Sequence, residues 1–349
     1  MLWLLPSIPN HFFNCSKQII RKTIDTGTSV MQLALNVPDI DLHGKVDDLV
    51  SQVPEGMVTT YGSVAMALGD IAASRFVGKV MSENDDIVRV PCRRVVQSDG
   101  TLGGYTGGGR AAKRRALRAE GVRIEGDRIV DFEKILFTDF KTDFPLKKFR
   151  AIQLRDSRRI VLDDDFDAEA DIAGSDIAYV GEEAFGSLVI FDGGSVRVKD
   201  VVTVRTKVKF PYIPTYLTFR EAPVVDALYR KSGERPMLVY DGNGIIHPLG
   251  FGVASHIGVM LDIPTIGVAK KLLCGTVNGG GLSRKVFIDG RHAGYAVSGK
   301  SGESPVYISP GHRISVQATI KVLKPYWRYR LPEPVRMAHI EAEKVRKGS

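Results

Sequence analysis

The spacing of apolar residues changes from a helical to a strand pattern at Asp171, and this change limits the fold more than any other feature. Before it, short apolar runs at helical spacing are separated by Gly, Asp or Thr, at residues 46–53, 63–68 and 73–82. Short helices joined by tight turns are typical of a helix-turn-helix module. The first part of the chain is therefore predicted to be a mainly α-helical domain.

Beyond Asp171 the pattern favours strands. Three extended runs bounded by turn residues predict an antiparallel meander, at 172–180, 186–192 and 196–206. Strand and helix patterns then alternate, with helices predicted at 219–231 and 252–262 and strands at 236–241, 264–269 and 305–309. This alternation predicts an α/β domain with a mixed sheet.

The length of 349 residues fits about two domains. The predicted division is an irregular leader (1–40), a helical domain (41–137), a linker (138–150) and an α/β domain (151–349).

Composition excludes several classes of protein. The chain is 44% hydrophobic and 25% charged, which is typical of a chain with a packed core and excludes a disordered one. No apolar run reaches the roughly 18 residues of a membrane helix. Cys15, Cys92 and Cys274 lie far apart without a CxxC pair, so neither disulfides nor a structural zinc site is expected. We expect a cytoplasmic monomer.

Positive charge is concentrated between Arg89 and Arg118. This segment contains eight basic residues and one acidic residue, Asp99. Such a patch is typical of a protein that binds a polyanion, nucleic acid above all. A solvated helix face is the alternative.

Within this patch, Cys92 directly precedes Arg93 and Arg94. Nearby positive charge favours the thiolate, so Cys92 is a candidate nucleophile. An inert buried cysteine is the alternative.

Residues 45 to about 125 resemble the active-site domain of O6-alkylguanine-DNA alkyltransferases. The resemblance lies in VPEGMVTTYGSVA, ASRFVGKVMSEN, VPCRRVVQSDGTLGGYTGG and Ala119-Glu120-Gly121. It implies a winged-helix-like domain in which Cys92 irreversibly accepts the alkyl group from a flipped guanine. It also implies DNA-binding or pocket roles for Tyr61, Arg75, Asn84, Arg94, Tyr105 and Thr106.

One residue departs from that family. The usual motif is PCHRV, whose His relays a proton towards a Glu, whereas here Arg93 stands at the His position and Glu120 remains. Arginine cannot act as a neutral base. We expect Arg93 to favour the Cys92 thiolate by its charge; in the alternative, the domain only recognises damage and delivers the second domain to DNA.

Three carboxylates mark the second domain: Asp176 in the first strand, Glu221 near a helix start and Asp241 at a strand end. Asp241 could simply form a turn, and Thr218 with Glu221 fits a helix capping box. Asp176 is costly to bury in an apolar strand unless it is paired or bound to metal. The three converge if the sheet is ribonuclease-H-like, and magnesium prefers such oxygen ligands.

Residues from about Leu146 to Lys344 resemble endonuclease V. The matching segments are FPYIPTYLTFREAP, VYDGNGIIHPLGFGVASHIGV, IPTIGVAKKLLCG, VYISPGHRIS and RLPEPVRMAHI. The resemblance implies a magnesium site at Asp176, Glu221 and Asp241, where manganese can substitute, with further catalytic roles for His339 and Lys270. It also implies that Pro211, Tyr212, Ile213 and Pro214 form a wedge that opens the duplex; a plain turn is the alternative.

Together the two resemblances imply a bifunctional DNA repair protein. Its partner would be double-stranded DNA with alkylated or deaminated bases, cut at the second phosphodiester bond 3′ to hypoxanthine and also to uracil or xanthine. Inosine-containing RNA as the main nuclease substrate is a further alternative.

Overall fold

A computed structural model describes residues 37–300 and 302–348. Most of the predicted leader, residues 1–36, lies outside the described residues. Within the described ranges, no helix is both long and apolar enough to cross a membrane.

The first part of the chain is mainly helical, as predicted. Its helices are α1 (Leu42–Ser51), α2 (Tyr61–Leu68), α3 (Ser74–Glu83) and α4 (Gly109–Ala119). Thr60 caps α2, because its hydroxyl accepts a hydrogen bond from the Ser63 amide. Two short strands, β1 (Thr59–Thr60) and β2 (Val95–Val96), pair in parallel and hold the segment after Cys92 beside the start of α2. A small hairpin, β3 (Ile124–Glu125) with β4 (Arg128–Ile129), follows α4.

The second part contains a nine-stranded sheet. Its strands are β5 (Ile172–Val180), β6 (Glu183–Phe191), β7 (Val198–Lys207), β8 (Met237–Asp241), β9 (Thr265–Ala269), β10 (Thr276–Asn278), β11 (Ser283–Ile288), β12 (Arg291–Val297) and β13 (Val306–His312). Their order across the sheet is β10-β11-β12-β13-β9-β8-β5-β6-β7. β8 pairs in parallel with β5 and β9, and the other pairs are antiparallel. The predicted mixed sheet is confirmed, and β5 to β7 form the predicted meander.

Helices cover both faces of this sheet. They are α6 (Leu217–Ser232), α7 (Val253–Leu261), α8 (Val316–Leu323) and α9 (Glu333–Lys347). Because side chains alternate along a strand, Ala173 of β5 packs with α6 and α7 on one face, whereas Ile172 packs with α8 and α9 on the other. Gly174 allows α9 to cross β5 closely, since a Cβ at that position would lie 1.9 Å from the Pro334 carbonyl oxygen.

The second half of the segment predicted as a linker, residues 145–150, is helical. A helix, α5 (Pro145–Ser157), begins within it. Its charged sequence resembles a connector, but Leu146 and Phe149 are fully buried, in one apolar cluster with residues of both domains. The proposed domain limits remain a prediction.

The two domains are joined through this cluster and through a polar contact at its edge. From the first domain the cluster includes Phe76, and from the second it includes Ile213 and Phe219. Beside it, Asp70 Oδ2 accepts hydrogen bonds from the Arg150 guanidinium (2.7 Å) and the Tyr216 hydroxyl (2.8 Å). The relative orientation of the domains is therefore set by packed and hydrogen-bonded contacts.

Replacing Asp156 by asparagine is expected to lower the free energy of unfolding by about 2 kcal/mol at pH 7, because it removes the charge of a buried carboxylate that pairs with the Arg155 guanidinium. It accepts two hydrogen bonds from Arg155 and lies 3.5 Å from His256 Nε2. Burial alone would raise the pKa of Asp156, but His256 and Arg155 outweigh it and hold that pKa well below its usual value.

The stabilisation is therefore present above pH about 4, where the unfolded carboxyl is ionised, and is lost as the pH falls further. Denaturant titrations of both proteins at pH 7 and at decreasing pH measure the difference. The exposed Asp163→Asn is the control. A difference that stayed constant from pH 7 to pH 2 would contradict this assignment.

Candidate functional sites

Cys92 begins a short 3₁₀ turn, Cys92–Arg94, that leads into β2. Its side chain is 4% exposed, and its Sγ lies 3.8 Å from the Thr106 hydroxyl. The preceding loop is closed by Asn84, whose side-chain amide donates to the Val90 carbonyl and whose oxygen accepts from the Asp86 amide. The side chain of Asn84 thus stabilises the loop before Cys92.

Two tyrosines lie near this sulfur. Burial raises the pKa of Tyr61 and of Tyr105, and the Cys92 sulfur adds to both shifts. Tyr105 folds over Gly107, where a Cβ would lie 2.5 Å from the tyrosine ring. The structure thus brings Cys92, Thr106 and both tyrosines close together.

The two arginines after Cys92 are bound to Glu120. Nε of Arg93 and Nε of Arg94 each donate to one of its carboxylate oxygens. Arg93 also donates to the Ile87 carbonyl, and Arg94 to the Val53 carbonyl. Burial acts to raise the pKa of Glu120, but the two guanidinium groups outweigh it and lower that pKa.

The pairing with Glu120 limits the roles that Arg93 and Arg94 can have. The charge of Arg93 is compensated by Glu120 and is not available to Cys92 alone, which weakens the expectation that Arg93 favours the thiolate. Arg94 is largely buried, with its donors engaged inside the protein, so the structure does not present it to DNA.

The basic patch is less continuous than the sequence indicates. Arg110 and Arg114 both pair with Asp127, which lies just beyond the segment in which the charges were counted. Lys113 is fully buried and donates to the carbonyls of Val95 (2.6 Å) and Gly104 (3.0 Å); burial lowers its pKa to about 8. Lys113 therefore connects β2 to the glycine loop, a role that its charge pattern did not reveal.

The second site lies where β5 and β8 run side by side. Ser175 pairs with Tyr240 across these parallel strands, so the next residues, Asp176 and Asp241, lie next to each other on one face of the sheet. Glu221 approaches from α6, which covers the opposite face. Its pKa is raised to about 8, first by burial and then by the charges of Asp176 and Asp241.

Each of these carboxylates already has a protein partner. Asp176 Oδ2 lies 2.8 Å from His339 Nδ1, Asp241 accepts from Lys270, and Glu221 accepts from the Tyr240 hydroxyl at 2.6 Å. The five residues predicted as catalytic in this domain thus lie in one region. Tyr240 was not predicted, because an apolar strand with a single hydroxyl gives no sign of function.

The charge of the carboxylate cluster favours a divalent cation. The charges of Asp176 and Asp241 add to the burial that raises the pKa of Glu221, and a cation would relieve this repulsion. Among residues 37–300 and 302–348, however, no group of three or more His, Cys, Asp or Glu is arranged so that it could hold a metal as it stands. Magnesium keeps several waters and needs only one or two direct carboxylates, so the residues fit it in charge and ligand type.

Two local predictions need correction. Thr218 does not cap α6, because the helix begins one residue earlier, at Leu217, and Tyr216 occupies the cap position. Of the predicted wedge, Pro211 is buried, Pro214 is partly exposed and Ile213 is fully buried in the cluster between the domains. Tyr212, at 61% exposed, is the wedge residue that projects into solvent.

Comparisons with known proteins match the two parts of the chain to different families. The family model for endonuclease V matches residues 155–340, and the model for the DNA-binding domain of 6-O-methylguanine DNA methyltransferase matches residues 41–122. A Picrophilus torridus protein named bifunctional methyltransferase/endonuclease is 36% identical over 310 residues, or 89% of this chain and 98% of the relative.

Solved structures match the second domain. Streptomyces avermitilis endonuclease V is 30% identical, with a TM-score of 0.54 over 58% of this chain and 93% of that chain. Ciona intestinalis endonuclease V, solved with a 24mer DNA containing an inosine followed by a ribo-adenosine, is 26% identical, with a TM-score of 0.54 over 59% of this chain and 99% of that chain.

The sheet, its carboxylates and these matches define an α/β enzyme joined to a helical alkyltransferase-type domain. The chain belongs to the endonuclease V family and carries the DNA-binding domain of 6-O-methylguanine DNA methyltransferases ahead of its nuclease domain.

Proposed function

We propose that the chain is a bifunctional DNA repair enzyme. Its nuclease domain cuts the second phosphodiester bond 3′ to hypoxanthine, and its first domain transfers alkyl groups from O6-alkylguanine to Cys92. The observation that carries the nuclease assignment is the gathering of Asp176, Glu221 and Asp241 with Lys270 and His339. The name of the full-length relative, bifunctional methyltransferase/endonuclease, supports the pairing of activities.

In the nuclease, Asp176, Glu221 and Asp241 would hold magnesium in a ribonuclease-H-like arrangement. When bound, this ion lowers the pKa of a bound water and stabilises charge on the leaving oxygen. His339 contacts Asp176 and orients that carboxylate. Lys270, which pairs with Asp241, would supply a positive charge to the scissile phosphate.

In the first domain, the Cys92 sulfur attacks the alkyl carbon of a flipped O6-alkylguanine. A carbon–sulfur bond forms as the bond from carbon to O6 breaks, and the thiol proton ends on the released guanine. Thr106, Tyr61 and Tyr105 line the pocket around the sulfur. Because Arg93 cannot accept a proton, it serves here to fix Glu120 and the turn rather than as a relay.

The nuclease assignment is tested with the full chain carrying Cys92→Ala, which cannot take up alkyl groups. With magnesium, we expect nicking of a duplex that contains one hypoxanthine and no nicking of the same duplex with adenine. EDTA should abolish the cut, and excess magnesium should restore it.

Equal cleavage in EDTA, or equal cleavage of both duplexes, would contradict the assignment. The cleavage rate of a matched RNA strand that contains inosine is measured in parallel with that of the DNA. Faster cleavage of the RNA would favour the alternative in which RNA is the main substrate.

A further inference from the structure

A groove lies between the two domains, and both contribute to its walls. From the first domain come Arg75 and Lys79 of α3; from the second come Lys209, Tyr212 and Arg220. Arg75, for which the resemblance implies a DNA-binding or pocket role, and Tyr212, from the segment implied to open the duplex, thus line the same groove.

Both of these side chains are available to a ligand. Tyr212 is 61% exposed. Arg75 is also exposed, and within the described part of the chain no hydrogen bond, ion pair or aromatic ring holds its guanidinium. A bare guanidinium beside an exposed aromatic ring suits nucleic acid, because the first binds phosphate or base edges and the second stacks on bases.

The charge of the groove favours the same ligand. Among the described residues that line it, four are basic and one, Glu182, is acidic. Some of this charge is shared with neighbours, since Lys79 lies 3.7 Å from Glu83 and Lys209 pairs with Asp39. These pairs are exposed and therefore weak, so DNA phosphates can replace them.

The residues next to both side chains are packed in the interface between the domains. Phe76, next to Arg75, and Ile213, next to Tyr212, are both buried in the cluster that joins the domains. The hydrogen bonds of Asp70 to Arg150 and Tyr216 close the edge of the same interface. Because Arg75 and Tyr212 line the same groove, a duplex seated on either side chain would cover the other.

We propose that α3 and the segment 209–212 form one DNA-probing surface that serves both active sites. The protein then engages one duplex at a time, and Arg75 contributes to DNA binding by the nuclease as well as to alkyl transfer. This inference rests on the proposed function, because it needs both activities.

The first test is the effect of Arg75→Ala on the nuclease. In full-length protein with EDTA, the Kd for a hypoxanthine duplex is expected to rise about tenfold, and the slope of log affinity against log salt to fall by about 0.9 for a lost phosphate contact. Arg158→Ala removes an exposed arginine outside the groove and is the matched control. Equal Kd values for the two variants would overturn the proposal.

The second test is competition. The rate of alkyl uptake by Cys92 from an O6-methylguanine duplex is measured in EDTA while a hypoxanthine duplex is added. The rate should fall in proportion to the fraction of protein bound to hypoxanthine duplex, and the same duplex with adenine should inhibit only at higher concentration. An unchanged rate at saturating hypoxanthine duplex would overturn the shared surface.

The two activities are also measured separately, as alkyl uptake alone and as magnesium-dependent nicking alone. Absence of either one would contradict the proposed function itself. Failure of the competition with both activities present would contradict the shared surface.

Discussion

Asp241→Asn is expected to reduce nicking of a hypoxanthine duplex by about a thousandfold while leaving alkyl transfer unchanged. The substitution keeps the shape of the side chain but removes the charge that would bind magnesium and that now pairs with Lys270. Loss of several kcal/mol of transition-state stabilisation corresponds to a factor of this size. Single-turnover nicking at saturating protein measures the chemical step directly.

The control for this change is Asp289→Asn, at the turn between β11 and β12 and away from the carboxylate cluster, which should nick at the normal rate. Alkyl uptake by Cys92 in the Asp241→Asn protein reports that the first domain remains folded. Full nicking activity in Asp241→Asn would exclude the carboxylate cluster as the catalytic site.

Cys92→Ala is expected to abolish alkyl uptake completely, since it removes the only atom to which the alkyl group would be bound. Intact-protein mass after incubation with an O6-methylguanine duplex should rise by one methyl group in the unchanged chain and stay constant in the variant. Nicking of hypoxanthine duplex should be unaffected, because Cys92 lies in the first domain, away from the carboxylates of the sheet.

Cys274→Ala is the matched control, because Cys274 is a partly exposed cysteine of the second domain and its removal should leave the methyl mass shift intact. No mass shift in the unchanged chain would favour the alternative in which the first domain only recognises damage. Loss of both activities in Cys92→Ala, or in Asp241→Asn, would contradict the two-site arrangement.

Most of the sheet could be predicted because its signals are local. The alternation in β5 to β7 and the apolar runs of β8 and β9 mark strands within a few residues of their observed limits. The start of helix α5 was not predicted, because Lys147, Lys148 and Arg150 are typical of an exposed connector. Leu146 and Phe149 become a helix face only when residues from both domains enclose them.

The grouping of the carboxylates could be predicted because the strand pattern of the sequence and the family resemblance point to the same residues. Asp176 and Asp241 lie side by side because their strands are parallel neighbours. The ion pairs of the arginines in the basic patch could not be predicted from the sequence. Their partners Glu120 and Asp127 follow the patch in sequence and reach back across a turn. Charge counted over a window therefore overstated what the folded surface presents.

The cluster that encloses Phe149, Ile213 and Phe219 together with Phe76 also bears on how this chain could be divided. Cleavage between residues 137 and 145 would expose, on each fragment, apolar side chains that are buried in the intact chain. A domain exchanged for that of a distant relative would therefore need a matching apolar surface to restore this interface.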